Sequence, residues 1–358
     1  MNDWRTNEKY YHFHDDLEKY PDAWCYVVWS RRGPGKTYSA LRYAYEEGIP
    51  ICYMKRTKDD VKTVCGVRGG IDLSPYVPIN RDGHYHITSN LIYEGIGGFY
   101  DKYDDDGKIE GAPFSYIVAL NALKTVKGFD LSICDWMLLD EFIPQVGEIT
   151  RHKEGEMLLD MYMTISRDRL KRGRGDLKLI LFANAENIST PVTYELDIVD
   201  KMIDLQASGE SHLYIEDRGI LMHHITDAEI PILEEEKGGI YKAMKGTAWG
   251  AKAFGGEFSN NDFSNVAKVN LKNYTPVVAY RWRDGYTYVY KRDGYLYFTT
   301  AQNNIAEVYD LNKENDQKRF YYDWVLDLRN ECIENRCKFK SYTMYDLLMN
   351  YKKFFNIS

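Results

Sequence analysis

Several features are missing from this sequence of 358 residues, and each absence closes off a class of protein. There is no Cys-x-x-Cys. The six cysteines (Cys25, Cys52, Cys65, Cys134, Cys332 and Cys337) are scattered. Several fall inside apolar strand-like runs, where Cys acts as a small hydrophobe. The Cys332–Cys337 spacing has no His nearby and does not read as a zinc site. This pattern fits reduced thiols in a cytoplasm. The eight histidines form no HExxH or similar set; His12/His14, His84/His86 and His223/His224 read as strand or turn residues. No apolar run approaches the roughly 18 residues that span a bilayer, and Met1 to Tyr20 lacks the apolar core of a signal peptide. No membrane partner is expected. Internal repeats and low-complexity tracts are absent. The acidic stretch Asp101 to Gly107 fails as a calcium loop, because Lys102 takes the first ligand position and Pro113 stands where the bidentate Glu should be.

What is present is ample core material, with 44% hydrophobic and 15% aromatic residues, 31 of them Tyr. The length favours two or three domains. The formal charge is −8, but it is uneven: Phe263 to Ser358 holds 15 Lys and Arg against 11 Asp and Glu, net +4, leaving −12 on the remainder. An acidic body with a mildly basic tail domain is compatible with nucleic-acid contact, though weakly so.

The most informative stretch runs from Trp24 to Thr37. An apolar β-prone run ends abruptly in a Gly-rich turn, Ser30-Arg31-Arg32-Gly33-Pro34-Gly35, and Lys36-Thr37 opens a helical pattern. That is the order of a phosphate-binding loop. Glycines let backbone N–H groups converge on phosphate oxygens, Lys36 can neutralise the β/γ-phosphates, and Thr37 can ligate Mg²⁺. Ser30 stands where the usual pattern has Gly. A chance Gly-Pro turn before a helix is the plain alternative, and the full order of elements weighs against it. Arg31 and Arg32 would add positive charge beside the phosphates.

The loop's helix should run from about Lys36 to Glu47, with Gly48 at its end and Pro50 beyond. Ile51 to Met54 reads as a second strand and Thr57 to Cys65 as a short helix. Gly66 to Gly111 looks like an inserted hairpin region, with a strand near His84 to Tyr93. Further strands are expected at Phe114 to Leu120, Trp136 to Leu139 and Asp176 to Phe182, and a helix at Glu156 to Leu170. Alternating strands and helices imply a parallel α/β sheet with ligand chemistry at its strand C-terminal ends. From about Gln206 the signal weakens, and Glu229 to Phe258 reads as a linker. Beyond Asn270, Arg283-Asp284-Gly285 and Arg292-Asp293-Gly294 place Asp-Gly turns between tyrosine-rich strands. The expected domains are 1–205, a linker subdomain at 206–262, and 263–358.

Asp140-Glu141 ends an apolar strand. There Asp140 would hold Mg²⁺ and Glu141 would act as general base toward the attacking water; strand alternation would point the two apart. Asn184, at the end of another β-rich run, is either a polar sensor of the γ-phosphate or a turn cap. Arg167, Arg169, Arg172 and Arg174 cluster at a helix end. They are either a dipole match on a solvated face or a source of an arginine finger.

With these residues in place, the chain resembles the DNA-packaging ATPases of small phi29-like phages. The resemblance is carried by Arg32-Gly33-Pro34-Gly35-Lys36-Thr37, Tyr53-Met54-Lys55-Arg56, Asp140-Glu141-Phe142-Ile143, Arg167-Asp168-Arg169, Ala183-Asn184-Ala185 and Gly246-Thr247-Ala248-Trp249-Gly250. Ser30 and Lys55 depart from the family's pattern. The resemblance implies a P-loop ASCE-type ATPase domain with a parallel sheet, a linker subdomain and an α+β RNase H-like C-terminal domain, a nuclease fold without its metal carboxylates. It implies ATP and Mg²⁺ as cofactors. It also implies a ring, usually pentameric, that docks at the portal vertex of a procapsid in the host cytoplasm and drives double-stranded DNA inward, in some cases with a structural packaging RNA. In that reading Arg167 acts in trans on a neighbour's γ-phosphate, and a trans lysine falls on Lys127, with Lys124 the second choice. Two other readings remain: a terminase with an active nuclease domain, and a non-motor nucleotide-binding module.

Overall fold

The computed structural model describes residues 4–68, 71–145, 148, 153–167, 169–258, 261–302 and 307–357. The chain divides into two compact units, one of Met1–Leu196 with Met202–Asn260, the other of Asp197–Lys201 with Asn261–Ser358.

The first unit is built on nine strands: β1 (Cys25–Ser30), β2 (Ile51–Lys55), β3 (Thr88–Tyr93), β4 (Ile96–Tyr100), β5 (Ser115–Ala119), β6 (Trp136–Asp140), β7 (Lys178–Asn184), β8 (His212–Ile215) and β9 (Ile220–His224). They form one sheet in the order β8-β9-β1-β7-β6-β2-β5-β4-β3. The six strands from β9 to β5 in that order are parallel. β8 closes one edge and the β3–β4 hairpin the other, all antiparallel. Every residue of β1 is buried, as expected of a parallel strand covered on both faces and written as a continuous apolar run. Helix α1 (Phe13–Lys19) and helix α2 (Lys36–Glu46) press Phe13, Ala40, Leu41 and Ala44 into a core shared with Tyr26, Val28, Tyr53, Leu138 and Phe182.

Four expectations change here. The hairpin in 66–111 is part of the main sheet rather than an insertion beside it, and His84 ends a short helix (Val77–Gly83) instead of opening the strand, which begins at Thr88. Residues 212–224, expected in the linker, form β8 and β9. β9 is the direct neighbour of β1; His212 opens β8 and His223-His224 end β9, which breaks the apolar pattern there. Helix α3 (Glu154–Ser166) ends at Ser166 rather than Leu170, and Leu170–Arg172 is a separate 3-10 turn. Among the histidine pairs, His14 lies in helix α1.

The second unit carries β10 (Thr275–Trp282), β11 (Gly285–Arg292), β12 (Tyr295–Thr299), β13 (Val308–Asp310) and β14 (Cys337–Phe339) in the order β13-β10-β11-β12-β14. β10 to β12 form an antiparallel meander. β13 runs parallel to β10 and β14 parallel to β12. Asp284 and Asp293 sit in the two tight turns of the meander. Val278, Val289, Phe298, Phe320, Val325 and Phe339 fill its core. All six cysteines of the chain are buried and unpaired. No described helix is long and apolar enough to cross a membrane.

Candidate functional site

β1 ends at Ser30, and the next five residues turn the chain into α2. Gly33 and Gly35 both take φ of +97°, which a side chain would strain. At Gly35 space is not the constraint, since an added Cβ would find its nearest neighbour, Tyr10 Cβ, at 3.8 Å. Gly35 is the N-cap of α2 and no side chain caps the helix, so its first amides and positive dipole end face the loop. A cavity of about 280 Å³ opens there, lined by residues 32–38, Asp140, Glu141, Ala183 and Asn184.

Lys36 and Thr37 meet partners far away in sequence. The Lys36 ammonium donates to Ser30 Oγ, to the Arg31 carbonyl at 3.3 Å and to Asn184 Oδ1 at 3.4 Å. Burial pushes the Lys36 pKa down to about 7; Asp140 opposes that shift and Arg31 adds to it. A phosphate in the cavity would supply the missing countercharge. Thr37 Oγ1 donates to Asp140 Oδ1 at 3.0 Å, and Tyr53 donates its hydroxyl to Asp140 Oδ2 at 3.3 Å. A hydroxyl and a carboxylate side by side on this cavity are hard oxygen donors of the kind Mg²⁺ takes.

Glu141 differs from the alternating arrangement read from the sequence. It lies beyond the end of β6 with φ of +57°, so strand alternation does not govern it, and both carboxyl residues line the same cavity. A left-handed non-glycine residue costs about 1–3 kcal/mol and persists only where its surroundings enforce it. Here the enforcement is visible. Phe142 N–H donates to the Phe182 carbonyl at 3.0 Å, Glu141 N–H to Asp140 Oδ1 at 3.1 Å, and the Arg56 guanidinium to the carbonyls of Glu141 and Phe142 at 3.2 and 3.1 Å. Arg56 is itself fixed by Glu154 at 2.6 Å and Glu148 at 3.1 Å. Gln145 Nε2 donates to the Glu141 carboxylate at 3.0 Å, and Arg32 donates to Gln145 Oε1 at 3.0 Å.

Not every candidate faces the cavity. Ser30 is fully buried beneath it. Arg31 is buried and turned toward the 227–236 segment, 3.4 Å from Asp227 and 3.6 Å from Glu236. Arg31 therefore ties the loop to that segment and does not line the cavity. Of the four arginines after α3, Arg169 is buried among the carbonyls of Ser132, Cys134 and Gly175 and the Asp135 carboxylate. Arg174 and Arg172 bind the same 132–135 segment. Arg167 is exposed at the C-terminal end of α3; Asp168 lies outside the described residues. Lys127 and Lys124 are also exposed, and neither lines the cavity.

Reading the sequence missed Tyr53, Arg56 and Gln145 as supports of the carboxylates. Tyr53 and Arg56 lie in the run that carried the family resemblance, which was the available signal. It also missed a buried polar cluster. Asp16 accepts hydrogen bonds from Tyr11 at 2.7 Å and from His223 Nδ1 at 2.8 Å on one oxygen, and from His212 Nε2 at 3.1 Å on the other. His223 Nε2 meets the Glu229 carboxylate at 3.0 Å. Burial alone would depress the His223 pKa, but Asp16 and Glu229 outweigh it and raise it to about 9. Burial would raise the Asp16 pKa, and the two histidines instead hold it well below the usual carboxylate range.

No protein-family model and no curated protein sequence matches the chain. Solved structures do. The Phi-28 gp11 DNA packaging motor is similar over 98% of this chain and 99% of its own, at a TM-score of 0.63 and 14% identity. The bacteriophage Phi-29 viral genome packaging motor assembly is similar over 97% of this chain and 99% of its own, at 0.62 and 15%. At such identities the likeness is one of fold: over nearly its whole length this chain has the mixed α/β fold of the phage packaging-motor chains.

Proposed function

We propose that this chain is an ATP-hydrolysing motor subunit that translocates double-stranded viral DNA into a procapsid, working as a pentameric ring at the portal vertex in the host cytoplasm. The observation that carries the reading is the pairing of Thr37 with Asp140 at 3.0 Å across one cavity that Lys36, Glu141 and Asn184 also border. β7 separates the loop strand β1 from the carboxylate strand β6, an added strand consistent with an ASCE-type ATPase. Lys36 and the loop amides bind the phosphates. Thr37 and Asp140 are the residues that would hold Mg²⁺, which when bound neutralises phosphate charge. Glu141 takes the proton of the attacking water, and Asn184 contacts the γ-phosphate.

Arg167, with Lys127 or Lys124, is exposed where a neighbouring subunit's nucleotide could meet it. The second unit serves as an RNase H-like domain toward DNA, portal or a packaging RNA; its antiparallel meander with β13 parallel to β10 supports that assignment. The test is ATP turnover with and without double-stranded DNA. Wild-type turnover should rise with DNA, and Lys36→Ala should abolish it in both conditions. Turnover indifferent to DNA would argue against a motor, and an active Lys36→Ala would argue against the loop.

A further inference from the structure

A second, larger cavity adjoins the phosphate cavity. It measures about 850 Å³ and shares Gly33, Gly35 and Tyr38 with the loop; its other wall is the N-terminal segment, including Trp4, Asn7 and Tyr10. This volume lies within the roughly 300–1,000 Å³ range of small-molecule sites. The segment is fastened to the loop: Tyr11 N–H donates to the Pro34 carbonyl at 2.9 Å.

Most of the cavity's aromatic rings are already engaged. Trp4 donates Nε1 to the Glu46 carboxylate at 3.0 Å and lies under the Arg42 guanidinium at 4.8 Å. The Tyr38 hydroxyl accepts from Arg42 at 2.7 Å and donates to Asp82 at 3.2 Å. Tyr10 is different. It is 42% exposed, and its side chain has no ring or hydrogen-bond partner among the described residues. It packs beside Gly35, against the loop itself.

Polarity along the loop fixes which part of a nucleotide would reach it. Lys36, Asp140, Glu141 and Asn184 gather at one rim, where the γ-phosphate belongs. The chain of phosphates then leads past Tyr38, the residue after Thr37, into the larger cavity. We propose that this cavity takes the base and ribose of the nucleotide, with Tyr10 as the face on which the base stacks. The proposal rests on the reading of the loop as an ATP site. It makes the N-terminal segment a specificity element of that site rather than a structural lead-in to β1.

Base–aromatic stacking sets the size of the effect. Tyr10→Ala should raise KM for ATP roughly 5- to 150-fold with kcat little changed. Inhibition of ATP turnover by inorganic tripolyphosphate, which has no base, should keep its wild-type inhibition constant. Tyr10→Phe should behave as wild type. Tyr10→Leu keeps bulk against Gly35 without an aromatic face and should match Tyr10→Ala, which covers the case of a variant that folds poorly. An unchanged KM for ATP in Tyr10→Ala and Tyr10→Leu overturns the proposal, as does an equal loss for ATP and tripolyphosphate. Lys36→Ala separates the two levels: if it too binds ATP like wild type, it is the ATP-site reading that has failed.

Discussion

Glu141→Gln is expected to bind ATP about as tightly as wild type while its steady-state turnover falls by about 10²–10⁴-fold, the range for losing a general base. The substitution is nearly isosteric. An amide oxygen can still accept the Gln145 Nε2 hydrogen bond now made at 3.0 Å, and the backbone bonds from Arg56 and Phe142 that hold residue 141 do not involve its side chain. Lys36, Thr37 and Asp140 are untouched, so phosphate and metal binding should persist. What is lost is the ability to take a proton from water. Fluorescent-nucleotide titration beside phosphate-release kinetics checks both halves. Normal turnover would remove Glu141 from the chemistry, and lost binding would show that its role is structural.

Asp16→Ala is expected to destabilise the first unit by about 3–5 kcal/mol, because it strips a buried, charged histidine of one of its partners. Asp16 and His223 are each only 2% exposed, and removal of the carboxylate also leaves the buried Tyr11 hydroxyl without its acceptor. The effect should depend on pH. The His223 pKa is raised to about 9, so its stabilisation is complete below about pH 6.5 and is lost as pH rises through 9. The Asp16 pKa is lowered, so its contribution holds above its ordinary value near 4 and is lost as pH falls below it. Lys36 runs the other way, its depressed pKa favouring the fold as pH rises above about 7 in both proteins. The difference between wild type and variant cancels that term. Urea unfolding at pH 6 and pH 9 should therefore show a gap that narrows at the higher pH; a gap that stays constant would contradict a charged Asp16–His223 pair.

The core of the first unit was legible where the chain writes continuous apolar runs. β1, β2, β5, β6 and β7 are such runs, and Gly33 and Gly35 mark the turn into α2. Lys36, Thr37, Asp140, Glu141 and Asn184 were singled out for the same reason, and the fold brings them to one cavity. What stayed hidden depends on contacts between distant segments. The φ of Glu141 is imposed by Arg56 and the β7 backbone, which no local pattern around residue 141 encodes. Arg31, expected to add positive charge beside the phosphates, is claimed instead by Asp227 and Glu236, about 200 residues away. β9 ends in two histidines whose partners lie on other segments. Arg169 read like its exposed neighbours, yet the 132–135 segment buries it.

The motor reading requires ATP sites completed by a neighbouring copy, and a mixing experiment tests that most directly. ATP turnover on double-stranded DNA would be measured at fixed total protein while Arg167→Ala replaces wild type in increasing proportion. Shared sites in a ring should give a steeper-than-linear loss, with a minority of variant silencing a majority of the activity. A strictly proportional loss would mean that each chain hydrolyses ATP alone, and the ring with Arg167 acting in trans would be wrong.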